Sequence, residues 1–422
     1  MKKRITLLPG VSLSAVQSHK FKTGCFSINF LRPMSRQEAS QNALTFSVLL
    51  RGTEAHPDIR SLSAAMDDLY GAEIGLLVRK KGEVHCVGLY ADYVEDALLP
   101  GEEIFSRVVE LTAELLLQPV QENGAFRRDY VEREKENLIH SIRSRLNSKR
   151  AWAVSQMVKT MFRDEAYGVD RLGEEEDVAA ITASGLYEHY KRLLATSRVE
   201  ICYMGRLSAQ EAAEVFRRAL SALPRAGEMV PVSTVFVPAA KETRYVTEAL
   251  DVTQGKLCMG FRLGVRAGDP EWAAMVMLSA VYGSGVTSKL FVNVREKMSL
   301  CYYVGASLEK FKGVMVVSSG IEFARMETAK TAILAELDAC RRGEITEGEL
   351  ESARKHLISG LRTSMDSPGQ LDEYYLGQAI TDSNSTIEEF IARLEAVTAE
   401  DCAACARRIT LDTVYFLKGT EA

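Results

Sequence analysis

The chain has 422 residues, 46% of them hydrophobic and 26% charged, with a formal net charge of −5 at pH 7. That length supports two or three domains with ample cores. The mild acidity, with a pI near 5.9, leaves no large basic surface and argues against nucleic acid as the main partner. No run reaches the roughly 18 apolar residues that a membrane helix needs, so no membrane partner is expected.

In chain order, Lys2, Lys3 and Arg4 precede the apolar residues 5–8, which superficially resembles the start of a signal peptide. Pro9-Gly10, Ser12 and Ser14 interrupt that stretch, and it reads instead as a first strand and turn. Ser35-x-x-Glu38 reads as a capping box that opens a helix ending near Leu50, with Gly52 just beyond. A further helix ends at Leu69-Tyr70-Gly71. Lys80-Lys81-Gly82 marks the turn before a β-branched strand over 83–90. Residues 126–149 form a charged helix with Tyr130, Leu138, Ile142 and Leu146 on one stripe.

Pro224, Gly227, Pro231 and Pro238 then mark a linker over 223–242. Beyond it the pattern repeats. A helix ends at Val281-Tyr282-Gly283, a strand covers 313–318, and residues 357–362 echo 138–143. Tyr70 with Tyr282, and Leu138 with Leu357, stand at similar spacings and in the same order, which predicts a duplicated domain. The expected fold class is α+β: two homologous domains, 1–222 and 243–422, each a mainly antiparallel sheet covered by helices.

Eight cysteines are scattered along the chain at 25, 86, 202, 258, 301, 340, 402 and 405. Most sit in apolar runs and form no disulfide framework, as expected of buried thiols in a reducing, cytoplasmic setting. Cys402 and Cys405 form a C-x-x-C, but no second pair completes a zinc site. Two small core-facing helix residues are the simpler reading.

Several phrases, in order, resemble the M16 peptidase family. They are Leu50-Arg51-Gly52-Thr53; Leu117-Gln118-Pro119 followed by Phe126; and Tyr167-Gly168 with Gly173 and Glu174-Glu175-Glu176. In the second half, residues 283–291 resemble that family's glycine loop. Arg295-Glu296-Lys297, closed by Tyr302, resembles its Arg-Glu-Lys…Tyr segment. Active members carry H-x-x-E-H, in which two His four apart on one helix face bind zinc and the Glu activates the metal-bound water. A Glu on a second helix supplies the third protein ligand.

Carried onto this chain, the two His positions fall on Ala43 and Ser47, the Glu on Phe46 and the distal ligand on Ser141. Glu134 matches an acidic position that the family often has there. Methyl, phenyl and neutral hydroxyl groups make neither a tight zinc site nor a general base. The six His, at 19, 56, 85, 140, 189 and 356, include no two that stand three or four apart. Glu136 and His140 are one helical turn apart, but two ligands are not a site. The chain is therefore expected to bind no metal or cofactor and to have no peptidase activity of its own.

The resemblance also implies what remains. An Arg and a Tyr seven residues apart line the family's chamber opposite the zinc and contact substrate backbone, and Arg295 and Tyr302 match them. Met298 and Ser299 depart from the family's usual Arg-Gly. Read without the family, Arg295 is a surface helix residue and Tyr302 a strand core residue. In two-chain members one subunit carries zinc and the other supplies the opposite wall around an unfolded peptide. The implied role is the non-catalytic, substrate-holding or regulatory subunit of a heterodimeric zinc metalloendopeptidase, partnered by a zinc-bearing homologue. The alternative is a peptide- or protein-binding scaffold without peptidase activity, alone or as a homodimer, in the branch that has been linked to elongation factor P modification.

Overall fold

Alternation within single strands builds each sheet with two unlike faces. Along Thr23–Pro33, Phe26, Ile28 and Phe30 alternate with Cys25, Ser27 and Asn29, and successive strand residues point to opposite sides. The aromatic row enters a core with Phe46, Phe105 and Phe216, where Phe26 meets Phe216 edge-on at 5.2 Å between centroids. The other row makes a polar face.

The computed structural model describes residues 2–225 and 227–420. The first half runs β1 (Lys2–Leu8), β2 (Val11–Gln17), β3 (Thr23–Pro33), α1 (Arg36–Leu49), α2 (Ile59–Asp67), β4 (Glu73–Lys81), β5 (Val84–Val94) and α3 (Ile104–Leu117). A short hairpin of β6 (Gln121–Glu122) and β7 (Ala125–Phe126) leads to α4 (Arg128–Ser144), α5 (Lys149–Met161), α6 (Glu175–Ala179), α7 (Ala183–Thr196), β8 (Arg198–Gly205) and α8 (Ala209–Ala219). The second half runs β9 (Arg244–Leu250), β10 (Gly255–Arg262), α9 (Trp272–Tyr282), a π-helical segment Leu290–Lys297, β11 (Cys301–Glu309) and β12 (Val314–Ile321). It finishes with α10 (Met326–Arg341), α11 (Glu347–Ser364), α12 (Pro368–Thr381), α13 (Ile387–Glu395), α14 (Ala399–Arg408) and β13 (Thr410–Gly419).

The two large sheets repeat one topology. The first is ordered β1-β2-β8-β3-β5-β4 and the second β11-β12-β10-β13-β9. Without β1, and with the second order reversed, strands of the same role fall at the same places. β2 pairs in parallel with β8, as β9 does with β13, and the other pairings in these sheets are antiparallel. The α+β expectation, with mainly antiparallel sheets covered by helices, holds. The Leu138/Leu357 match holds as well, because α4 and α11 occupy the same place in the repeat.

The Tyr70/Tyr282 match does not hold. Tyr282 ends α9, the first helix after β10, so its counterpart position is the end of α1. It is buried and donates its hydroxyl to the Ile333 carbonyl at 3.0 Å. Tyr70 instead follows α2, at a φ of 59°, and is exposed. The shared Tyr-Gly pair arose from two unrelated helix ends.

The chain forms two compact units, and they do not follow the halves of the sequence. One comprises residues up to Arg143 with Val169–Ser233 and Ser367–Asp382; the other comprises Ser144–Gly168, Thr234–Asp366 and the chain from Ser383. A division at 223–242 leaves this exchange out: α12 packs on β8 and β3, and α5 packs on β10 and β13. In the first unit, Asp372 of α12 accepts from the Ser27 hydroxyl and pairs with Arg79 at 2.5 Å, and Arg198 donates to the Ala379 carbonyl at 2.6 Å. In the second, a Cβ on Gly260 would stand 2.6 and 2.8 Å from the sulfurs of Met161 and Met157. The missing side chain is what lets α5 lie close to its sheet. Ala226, within the expected linker, lies outside the described residues.

Candidate functional site

The first-half positions assigned to zinc ligation lie on α1 and α4. Ser35 caps α1 by accepting from the Glu38 backbone N–H at 3.3 Å, but the Glu38 carboxylate turns to Arg32 at 2.8 Å, so the capping box is only half made. Ala43 and Phe46 are buried, and Phe46 packs on Phe30 with centroids 5.4 Å apart. The Ser47 hydroxyl turns back toward the Ala43 carbonyl at 3.4 Å. Ser141, exposed on α4, donates to the Asn137 carbonyl at 2.9 Å. Glu134, two turns earlier on α4, is held by Arg51 at 3.3 Å, with side chains 12% and 16% exposed.

Zinc in proteins takes Cys thiolate, His nitrogen or carboxylate oxygen, and these residues do not fit it. Phe46 fills core where a general base would stand, and the nearby carboxylate of Glu134 is already neutralised by a guanidinium. The thiols offer no substitute. Cys402 and Cys405 face the core of α14, and burial pushes them up to about 12 and about 11, which disfavours the thiolate. Among the described residues, no group of three His, Cys, Asp or Glu is placed to hold a metal.

One turn of α1 does carry a polar network that sequence spacing gave no means of finding. Arg192 donates to Nδ1 of His189 at 3.3 Å, Nε2 of His189 meets Oδ1 of Asn42 at 2.8 Å, and Nδ2 of Asn42 meets Nδ1 of His85 at 3.2 Å. A guanidinium can only donate, so His189 Nδ1 accepts and its proton sits on Nε2. The Asn42 carbonyl oxygen then accepts that proton, which leaves its amide to donate to His85. All three side chains of the chain His189–Asn42–His85 are buried. Burial is the main reason that His85 is pushed down to about 3 and His189 to about 4, so both are neutral at pH 7. His85, on β5, and His189, on α7, are brought together only by the fold.

The second-half pair sits on consecutive elements. Gly283 and Ser284 clasp the outer side of β11: the Ala306 N–H donates to the Gly283 carbonyl at 2.8 Å, and the Ser284 hydroxyl donates to the Ala306 carbonyl at 2.9 Å. A Cβ on Gly283 would lie 2.6 Å from that of Ala306, so glycine is required for this approach. Arg295 lies near the end of the π-helical segment, its guanidinium over Phe291 at 4.6 Å and 3.4 Å from Glu296. Its side chain is 37% exposed.

Tyr302 is the extra residue of a β-bulge. Cys301 pairs with Ile321 and Tyr303 with Gly320, so two steps along the edge strand β11 match one step of β12. A bulge re-aims the side chain it carries, and Tyr302 is 66% exposed. It is not a core residue. Arg295 acts on the neighbouring Cys301 thiol, drawing it down, although burial, the larger effect, raises it. Met298 and Val286, from the same stretch, are also exposed.

Residues 180–357 match the Peptidase M16 inactive domain. Over 413 residues the chain is 30% identical to the probable inactive metalloprotease YmfF of Bacillus subtilis, covering 98% of this chain and 96% of that one. It is 23% identical over 254 residues to the uncharacterized zinc protease YmxG of the same organism, 60% of this chain and 61% of that one. The crystal structure of a conserved protein from Enterococcus faecalis superposes with a TM-score of 0.92 at 27% identity, covering 100% of this chain and 99% of that one. With its metal positions rebuilt as Ala43, Phe46, Ser47 and Ser141, the chain belongs to the M16 peptidase family as a member that is not a peptidase on its own.

Proposed function

We propose that this chain is the substrate-holding, non-catalytic subunit of a heterodimeric zinc metalloendopeptidase, paired in the cytoplasm with a zinc-bearing M16 homologue. The observation that carries the reading is the unequal fate of the two halves. The metal positions have become core and helix-surface residues, while Arg295 and Tyr302 stay accessible, Tyr302 on a bulge that turns it outward. Among the described residues Tyr302 makes no hydrogen bond within the chain, so its hydroxyl is available to a peptide. An Arg fork and a Tyr hydroxyl both donate to backbone carbonyls, and donors fixed in place position a chain for hydrolysis by a partner's metal.

The relatives support a pair of this kind, since one organism has both an inactive and a zinc-protease relative of this chain. All eight cysteines are free, which supports a reducing compartment. The test mixes the chain with the zinc-bearing homologue from its own genome and follows peptide cleavage. Arg295→Ala and Tyr302→Phe should bind the partner as wild type does and lower kcat/KM roughly ten- to a hundredfold, the scale of a charge-assisted hydrogen bond worth about 1.5–3 kcal/mol. Equal rates for wild type and both variants would remove the composite site and leave the scaffold reading, homodimer included.

A further inference from the structure

On the second sheet two cations stand without a carboxylate partner among the described residues. In this unit the well-buried cations have carboxylates. Arg262 pairs with Asp412 at 2.9 Å and Glu165 at 2.6 Å, Lys312 with Glu165 at 2.7 Å, and Lys289 with Glu349 at 2.8 Å. Around the Tyr303 ring the pattern changes. The Arg150 guanidinium lies 4.2 Å from the ring centroid and the Lys256 ammonium 5.9 Å, and among the described residues neither has an ion-pair partner.

Among the described residues the Lys256 ammonium donates only to a neutral acceptor, Gln254 Oε1 at 2.5 Å. Its pKa lies below the usual lysine value, first because of burial and second because of Arg150. Gly320 makes room for the arrangement, because Tyr303 lies across the place where its side chain would be. The Tyr303 hydroxyl is buried without a well-formed hydrogen bond.

The local backbone adds to this imbalance. Arg150 and Lys149 open α5, whose first turn contains no acidic residue. Helix N-termini favour anions and penalise cations, so the sequence places positive side chains where the backbone is already positive. Two cations, one partly buried and each raising the cost of the other, are unfavourable until an anion joins them. We propose that Arg150, Lys256 and Tyr303 form a carboxylate-binding notch, taking an acidic side chain or the C-terminal carboxylate of a bound peptide. This rests on the peptide-holding reading and narrows it to acidic substrates.

The test uses three short fluorescein-labelled peptides: a Glu-containing one amidated at its C-terminus, its Gln counterpart, and that counterpart with a free C-terminus. Each is titrated at low salt into wild type and into Arg150→Gln/Lys256→Gln, with circular dichroism to verify the fold. At least one carboxylate-bearing peptide should bind wild type about tenfold or more tightly than the amidated Gln peptide, and the double variant should lose that preference. The source of the carboxylate is read from which of the two peptides gains. No preference in wild type, or the same preference in the double variant, overturns the notch. If no peptide binds, succinate, a free dicarboxylate, is titrated instead. A rise in the Tm of wild type but not of the double variant would uphold the carboxylate notch while removing the peptide-holding reading. No rise in either protein would remove both.

Discussion

The buried His85–Asn42–His189 chain makes the first unit sensitive to acid. Each histidine has a folded pKa below its ordinary 6.5, about 3 for His85 and about 4 for His189. The unfolded chain therefore binds protons that the folded chain refuses. Their stability contribution is complete above pH 6.5 and falls as pH drops from there toward those folded values. At 1.36 kcal/mol per pH unit, the 1.5 units between 6.5 and pH 5 remove about 2 kcal/mol per histidine, hence about 4 for the pair. That is a large part of a typical domain stability of ~5–15 kcal/mol.

Other groups face these rings, Glu38, Arg32 and Arg192 at His189 and Asp170, Arg171 and Lys80 at His85, but burial is the leading cause at both. Glu95 pulls the other way. Burial raises it from 4.5 to about 7, so its contribution grows as pH falls through 7 toward 4.5. The measurement is therefore a difference: urea unfolding of wild type and of His85→Gln/His189→Gln at pH 8 and pH 5. It is followed by circular dichroism and by hydrogen exchange of α1 and α7. Trp152 and Trp272 both lie in the second unit, so tryptophan fluorescence does not report the first. The double variant should lose about 4 kcal/mol less than wild type over this range. Parallel losses in the two proteins would refute the argument.

Three further outcomes follow from the packing. Ala43→His/Phe46→Glu/Ser47→His should bind no stoichiometric zinc, because Ser141 still leaves the site a ligand short and the new Glu replaces core; one equivalent of zinc by elemental analysis would contradict this. Asp372→Ala should destabilise the first unit by about 3 kcal/mol, since it leaves Arg79 without its closest partner; faster hydrogen exchange in β3 and β4 is the readout, and unchanged exchange would count against α12 as a structural part of that unit. Gly88→Ala should cost about 3 kcal/mol or more in urea unfolding, because a Cβ there would overlap the Ile28 carbonyl oxygen of β3; a loss below about 0.5 kcal/mol would show that the strands can part there.

The sequence carried most of the fold because local patterns survive in single strands and helices. Alternation in β3, the Lys81-Gly82 turn and the charged face of α4 are all local, and the loss of the metal site follows from four side chains read in place. Other features were not legible. The Tyr70/Tyr282 match misled because a Tyr-Gly helix end is common chemistry and carries no information about which helix it ends. The helix exchange was hidden because an amphipathic helix records that it is buried and not which sheet buries it: Met157 and Met161 on α5 suit any small-residue strand, and Gly260, which receives them, is about a hundred residues away. At the site, the sequence offered Arg295 and Tyr302 but not the bulge that exposes Tyr302, since a bulge appears only as a mismatch between two strands.

The exchange of α5 and α12 bears on how the chain can fold as it is made. The first unit lacks its last segment until Ser367–Asp382 has been synthesised. At ~5–20 residues per second, that is on the order of ten seconds after Ser233 leaves the ribosome. For that time the Cys25, Ser27 and Asn29 face of β3 stands without α12. A face of small polar residues tolerates such a wait, where a row of valines would invite strand-to-strand aggregation. The burden falls on α5 instead, made early but lacking β13 until Thr410–Gly419 emerges. Its apolar stripe of Ala153, Met157 and Met161 is the surface that a ribosome-associated chaperone would meet first.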